Sequence, residues 1–507
     1  MRKPPWAGAG SGRAGAGSAR AGAGSGHARR LAVIVLALIN LLTLGAGGAL
    51  AGLLPARLAQ WKIPAVASRP AVRPGALLAS AGASGPVPTE AGLAASLSGW
   101  LASGPLGSHV TAVVADPSSG KVLFSQDGSS PSAPASTAKL ATAVAALDAL
   151  GPDARFATTV VEDAGAATTG ATPKIILVGG GDPTLAAGHP PASDYPQPAT
   201  LEGLAAATAR ALRARHQDTV TLGYDTALYH GPGLAPGWSQ SYVTTGNVTD
   251  ITSLEVDQGR LLPDGLPQDA DDPGNLRPRS LTPASDAAQA FARYLGRDGI
   301  RIRGSAAPAT AARGSTRLAR VSSATVAAMV EQMLTESNNV IAENLARHVA
   351  IATKLPATFS GAAQAVTDVV RRLGAGTGVH LVDGSGLSPD DRIPAATLVR
   401  LVSLAASSAH PGLRAAITGL PVAGFSGTLS AGGSVFGNIA AAARGVVRAK
   451  TGNLDTVVTL AGLVDDRSGT VLAFAFMADK VPSATDLDQA ASAIDHLAES
   501  LAGCGCG

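Results

Sequence analysis

Hydrophobic and polar positions divide the chain into stretches of different character. Residues 1–30 repeat Gly, Ala, Ser and Arg without an apolar face, so they bury too little surface to fold. Leu31 to Leu54 is an uncharged apolar run preceded by Arg29 and Arg30. At about 1.5 Å per residue, a helix of that length crosses a bilayer. The positive charge ahead of it predicts an N-terminus in the cytoplasm and everything after the run outside. We read the run as a retained membrane anchor, with signal cleavage at the small-x-small pattern Ala49-Leu50-Ala51 as the alternative. Residues 55–90 are rich in Pro, Ala and Ser and read as an extended tether.

From Ala91 the pattern becomes that of a folded body. A helical period runs to Leu101, and alternating apolar positions at Val110 to Val114 and Val122 to Phe124 flank Asp116-Pro117-Ser118-Ser119-Gly120, which predicts a hairpin. Pro134-Ala135-Ser136 opens an Ala- and Leu-rich run to Leu150 that reads as a buried helix with Ser136 at its N-terminus. Residues 155–320 change to short strands, such as Lys174 to Val178 and Thr219 to Gly223, with one helix near Ala284 to Leu295, and read as a mostly-β insertion. Helical patterns return at Ser323 to Leu334 and Val340 to Ala352 around the polar turn Glu336-Ser337-Asn338-Asn339. Gly445 to Ala449 reads as a strand, Val457 to Val464 and Val471 to Met477 as a hairpin, and Ala484 to Leu501 as an amphipathic helix. This implies one α+β domain in two segments, 91–154 and 321–502, with a single sheet shared by both ends.

Charge sharpens the picture. The net charge of +3 hides an asymmetry, because ten Lys and Arg and no Asp or Glu precede Glu90, which leaves 29 basic and 36 acidic residues, or −7, in the remainder. A mildly acidic body disfavours nucleic acid as a partner, since counterion release needs clustered cations. Gly10, Gly12 and Gly15 fit a dinucleotide fingerprint, but no strand precedes them and no helix follows. The two cysteines, Cys504 and Cys506, lie in a Gly-Cys-Gly-Cys-Gly tail at 503–507 that we expect to be disordered. The nine histidines show no ligand spacing, and neither Gly-x-Ser-x-Gly, His-Glu-x-x-His nor a Walker loop occurs, so no metal or cofactor is implied.

Three short strings carry the candidate chemistry, in the order Ser136-Thr137-Ala138-Lys139, Ser337-Asn338-Asn339 and Lys450-Thr451-Gly452. A serine hydroxyl is a poor nucleophile at neutral pH and needs a base beside it. Positions i and i+3 share a helix face, which puts the Lys139 amine within reach of Ser136 Oγ. A lysine acts as a base only when desolvation or a second cation lowers its pKa, and Lys450 is the candidate for that cation. Taken singly the strings are weak. With eight lysines a Ser-x-x-Lys spacing arises readily by chance, and a second one, Ser118 to Lys121, sits in the expected hairpin turn. Asn339 reads equally well as a helix cap.

In this order the strings resemble the active-site serine penicillin-binding proteins, and more narrowly the low-molecular-mass class C D-alanyl-D-alanine carboxypeptidases and endopeptidases. The narrower resemblance covers roughly residues 91–500. It rests on Gly181-Asp182-Pro183-Thr184-Leu185, Glu336 to Glu343, Asp383-Gly384-Ser385-Gly386-Leu387-Ser388, Leu420 to Gly424 and Gly427-Thr428-Leu429. Many relatives continue after that Asp-Gly-Ser-Gly-Leu-Ser string with Arg, where this chain has Pro389-Asp390-Asp391-Arg392.

The resemblance implies a penicilloyl-serine transferase fold, DD-peptidase/β-lactamase-like, acting on peptidoglycan stem peptides that end in D-Ala-D-Ala and acylated by β-lactam antibiotics. It further implies that Ser136 attacks the penultimate D-Ala carbonyl, Lys139 takes its proton and Ser337 relays a proton to the leaving amine. Asn339 would bind the substrate amide, Lys450 and Thr451 of the Lys450-Thr451-Gly452 string the terminal carboxylate, and the N–H groups of Ser136 and Asn453 would form the oxyanion hole. Asp182 would meet the amine of the third stem residue, unless Asp-Pro merely forms a turn. Two rivals stand beside this reading, a β-lactamase, which needs a further carboxylate base, and a module that is acylated without turning over.

Overall fold

The computed structural model describes residues 85–164, 172–261, 277–430 and 443–506, all within one compact unit, Ala79–Gly507. The basic segment 1–30, the apolar run Leu31 to Leu54 and the tether up to residue 84 lie outside the described residues. Among the described residues, no helix is long and apolar enough to cross a membrane.

A five-stranded antiparallel sheet organises the body. Its strands are β1 (Val110–Ala115), β2 (Val122–Gln126), β11 (Val447–Leu454), β12 (Val457–Asp465) and β13 (Val471–Ala478), in the order β11-β12-β13-β1-β2. The join between the two ends of the chain is the pairing of β1 with β13, Val110 opposite Ala478 through Ala115 opposite Ala473. Strict alternation along the central strand explains its unbroken apolar run. Ala473, Ala475 and Met477 face one core, while Leu472, Phe474, Phe476 and Ala478 face the other, and all are fully buried. A strand covered by helices on both faces needs apolar residues at every position.

Helices α1 (Glu90–Leu101) and α9 (Leu487–Ala502) contribute to the second core. The first core gathers α2 (Lys139–Leu150), α5 (Val326–Thr335), α6 (Asn339–Ala352), α7 (Phe359–Arg372) and α8 (Ala395–Ala406). Helix α2 is buried from Lys139 to Leu147, with Ala141, Ala143, Ala145 and Ala146 letting its neighbours approach closely. Burying each large apolar side chain here contributes roughly 1.5–3 kcal/mol.

Between α2 and α5 the chain builds a second sheet from β4 (Ala157–Glu162), β5 (Lys174–Val178), β6 (Thr219–Asp225), β7 (Arg301–Ile302), β8 (Ala307–Pro308) and β9 (Thr316–Ser322). Entry and exit strands are paired, Ala157 opposite Ser322. Two helices, α3 (Leu201–Arg213) and α4 (Pro283–Arg297), pack on this sheet, and only the second had been expected. Helix α3 buries Leu201, Leu204, Ala205, Thr208, Ala209 and Leu212, a period-3.6 stripe, behind the Thr200 N-cap. Strands β3 (Pro131–Ser132) and β10 (Ile393–Pro394) pair just ahead of Ser136.

The cysteine tail departs from expectation. Cys504 is 3% exposed within the second core and is bonded to Cys506. The Cys506 carbonyl accepts from both Thr89 N (3.0 Å) and Thr89 Oγ1 (3.1 Å), the N-cap residue of α1. The tail through Cys506 is therefore ordered, because the Cys504 side chain has an apolar site to fill and the backbone has partners at the start of the body.

Candidate active site

Ser136 sits on a single 3₁₀ turn, Ala135–Ala138, that runs into α2. The turn is tight, since Ala135 takes a φ of +46°, which only an over-determined backbone holds in a non-glycine residue. Three residues later, as helical spacing demands, Lys139 Nζ lies 2.9 Å from Ser136 Oγ. The same amine lies 2.6 Å from Asn339 Oδ1 and 2.7 Å from the Ser385 carbonyl oxygen. An ammonium would donate to all three. A neutral amine donates to the two permanent acceptors and keeps its lone pair for the serine O–H.

Lys139 is fully buried, and burial lowers its pKa from 10.5 to about 7 against the opposing charges of Asp383, Glu343 and Asp391. The sequence left open whether desolvation or the second cation would do this, and the lowering comes from desolvation, with no share from Lys450. Lys450 is equally buried and is pushed well below its ordinary value, first by burial and then by Lys139. Its Nζ donates to Ser337 Oγ (2.9 Å) and to the Thr451 carbonyl (2.8 Å).

Ser337 precedes α6 with a φ of +57°, a second left-handed residue in the group. The helix cap is Asn338, whose Oδ1 accepts from Ile341 N at 3.1 Å, which frees Asn339 to meet Lys139. Asn339 Nδ2 donates to the Asn247 carbonyl (2.9 Å), and Asn338 Nδ2 to Gln258 Oε1 (2.7 Å). The segment between β6 and α4 thus holds the second string in place.

Strand β11 closes the other side. A Cβ on Gly452 would lie 2.3 Å from Thr459 Oγ1, 2.8 Å from the Pro134 carbonyl oxygen and 2.9 Å from Ser136 N. Only glycine lets this strand run so close to the nucleophile's turn, with Asn453 following it opposite Val458 in the ladder. Thr451 Oγ1 is 2.7 Å from Thr428 Oγ1.

Ser136, Lys139 and Asn339 form one hydrogen-bonded group and Ser337 with Lys450 a second, the two joined by the Ser337-Asn338-Asn339 string, with Thr451, Gly452 and Asn453 along their edge. Asp182 is not brought to this group. It is 4% exposed, and its Oδ1 accepts from Thr184 N (2.8 Å) and Thr184 Oγ1 (2.6 Å), which is the turn role the Asp-Pro pair suggested. Burial raises its pKa to about 6. Ser118, the other serine at Ser-x-x-Lys spacing, is exposed and donates to Asp116 Oδ1 at 2.6 Å. Sequence reasoning assigned no role to Ser385, Thr428, Thr459 or Asn247. The first two lie in strings already noted, whereas nothing in the sequence marks Thr459, whose hydroxyl donates to the Pro134 carbonyl at 2.8 Å, or the carbonyl of Asn247.

The chain matches the D-Ala-D-Ala carboxypeptidase 3 (S13) family over residues 93–277 and 262–501. It is 38% identical over 428 residues to a carboxypeptidase DacB from Mycolicibacterium smegmatis, covering 84% of this chain and 86% of that protein. It is 29% identical over 428 residues to a D-alanyl-D-alanine carboxypeptidase from Actinomadura, covering 72% and 76%. Penicillin binding protein 4 (dacB) from Haemophilus influenzae superposes with a TM-score of 0.62 at 20% identity, over 80% of this chain and 98% of that one, and so shares its fold. A second structure of that protein, complexed with a β-lactam, superposes with a TM-score of 0.57. With its serine, its two buried lysines and these relatives, the chain belongs to the D-Ala-D-Ala carboxypeptidase 3 (S13) family.

Proposed function

We propose that the chain is a serine D-Ala-D-Ala carboxypeptidase, with endopeptidase action on cross-linked stem peptides as a companion activity, and that it is acylated by β-lactams. The observation that carries the reading is the Lys139 amine, buried, neutral in about half of the molecules at neutral pH and 2.9 Å from Ser136 Oγ. Lys139 takes the serine proton as Oγ attacks the penultimate D-Ala carbonyl. The C–N bond to the terminal D-Ala breaks, its amine gains a proton through Ser337, and water then hydrolyses the ester on Ser136.

Asn339 orients the substrate amide in this scheme, and Lys450 with Thr451 attracts the terminal carboxylate. Ser136 N and Asn453 N stabilise the oxyanion, a kind of arrangement worth about 3–4 kcal/mol of barrier. Asp182, placed by the resemblance at the amine of the third stem residue, would have to leave the turn in which its carboxyl is buried to make that contact. The peptidase reading gains over a β-lactamase from the three carboxyls whose charge reaches Lys139, each engaged by backbone N–H groups, Asp391 by that of Val382. Both Glu343 oxygens accept from Gly384 N, and Asp383 accepts from backbone N–H groups of the turn it begins.

We place the body outside the cytoplasmic membrane, held by the apolar run Leu31 to Leu54, on the charge asymmetry of that run and the wall chemistry of the family. The test is release of D-Ala from a pentapeptide ending in D-Ala-D-Ala. Release by the parent and none by Ser136→Ala supports the reading. Rapid hydrolysis of a chromogenic cephalosporin with no D-Ala released supports the β-lactamase instead.

A further inference from the structure

The turn Asp383–Ser388 is buried yet built largely of polar groups, and Asp383 is its hub. Oδ1 of Asp383 accepts from Ser385 N (2.9 Å) and Gly386 N (2.6 Å), and Oδ2 accepts from Ser388 N (2.7 Å). Ser385 Oγ also donates to Oδ1, and a fifth donor comes from far away in sequence. The indole Nε1–H of Trp238 donates to Asp383 Oδ2 at 2.8 Å, and its ring stands edge-on to Phe359 with centroids 5.2 Å apart.

The opposite side of the turn touches the catalytic group. The Ser385 carbonyl accepts from Lys139 Nζ (2.7 Å), and the Gly384 carbonyl accepts from Thr142 Oγ1 (2.6 Å), one turn further along α2. Gly386 lies so near the nucleophile's turn that a Cβ there would be 1.9 Å from the Ala135 carbonyl oxygen. One carboxylate therefore fixes a segment that seats both the base and the residue before the nucleophile.

We propose that Trp238 and Asp383 are positioning residues for Lys139, so that the insertion helps to set the base as well as bordering the cleft. The proposal rests on the reading of Lys139 as the base. A buried carboxylate needs donors for its lone pairs, and hydrogen bonds to it are stronger than those between neutral groups. Without the indole, the Asp383 carboxylate is left one donor short, and the neighbouring Asp391 is the group that can supply one. A proton is at hand on Asp391, whose carboxyl is pushed well above its ordinary range by burial and by the charge of Asp383.

Other charged and titratable groups face this pair. Glu343 of α6, Asp391 and Lys450 of β11 surround Lys139, and Tyr242 of the insertion faces Asp383. The charge of Asp383 favours the ammonium form of Lys139. A proton that passes from Asp391 to Asp383 moves the charge onto Asp391, which favours the ammonium form less than Asp383 does, so the amine releases its proton more easily, while the Ser385 carbonyl is held less firmly.

The test measures the second-order rate constant for acylation of the full chain by a β-lactam across pH, for the parent, Trp238→Phe and Asp383→Asn. Phenylalanine keeps a ring against Phe359 and loses only the donor, and asparagine keeps the size and loses the charge. We expect the plateau rate of Trp238→Phe to fall about tenfold, as loss of one buried hydrogen bond to a charged group implies. In both variants the acid limb should move to lower pH, and further in Asp383→Asn. A plateau that falls with the limb unmoved marks a purely structural role and overturns the proposal, as does a limb that moves to higher pH or a profile identical to the parent's. Should Asp383→Asn fail to fold, Trp238→Phe alone decides. A parent that is never acylated would instead sink the reading of Lys139 as base, an outcome separate from any behaviour of the variants.

Discussion

At the scale of single residues the chemistry turns on one proton. Lys139 keeps two acceptors, Asn339 Oδ1 and the Ser385 carbonyl, in either protonation state, so loss of its proton opens the lone pair toward Ser136 without rearrangement. With the pKa lowered to about 7, acylation should rise with pH through that value and level off above it, which a pH profile of β-lactam acylation checks. Lys139→Arg, which cannot deprotonate, should lower the acylation rate by about a hundredfold or more at every pH. Ser136, Lys139, Ser337, Asn339 and Lys450 were legible because each bears a side chain whose chemistry has few other uses in that order. The Ser385 and Asn247 carbonyls were not, since every residue has a carbonyl and only the fold says which one meets Lys139 and which one meets Asn339.

At the scale of elements, the nucleophile is seated where the start of α2 meets β11. Gly452→Ala would force a methyl against Thr459 Oγ1, the Pro134 carbonyl and Ser136 N. We expect a cost of about 1–3 kcal/mol, read as a lower Tm, together with slower acylation. Helix α6 carries a second testable element, because Glu343 is buried behind Lys139 and its pKa is raised from 4.5 to about 8, first by burial and then by Asp383. Below about pH 4.5 folded and unfolded chains both hold this proton. As pH rises toward 8 only the unfolded chain readily gives it up, so the group's contribution to stability is lost across that window. The Tm of Glu343→Gln relative to the parent should therefore be higher near pH 8 than near pH 5. Sequence periodicity revealed the hairpins and α6 but missed α3, α7 and α8. In α3 the signal was present, a Thr cap and a 3.6-residue stripe, yet alanines on that stripe are weak markers of burial. The ordered tail was missed for another reason, since glycines and cysteines acquire a site only once α1, α9 and the β12–β13 turn have come together.

At the scale of the whole molecule, the two ends of the chain share one sheet, and the insertion between them reaches back to the site through Trp238, Asn247 and Gln258. The sheet shared by both ends was foreseeable from strands and hairpins at front and back. The reach of the insertion was not, because it runs through a backbone carbonyl and two side chains with no marked spacing. On the reading of Leu31 to Leu54 as an anchor, the full-length protein should stay with membranes through a high-salt wash, with its body open to protease added outside. Release of a species beginning just after Ala51 would show cleavage instead. The most direct test of the account is the intact mass of the full chain after a β-lactam, for the parent and Ser136→Ala, with the labelled peptide mapped. The account predicts one adduct on the parent, in the peptide that holds Ser136, and none on the variant. An adduct that persists on Ser136→Ala, or that maps to the β1–β2 turn around Ser118, would contradict it.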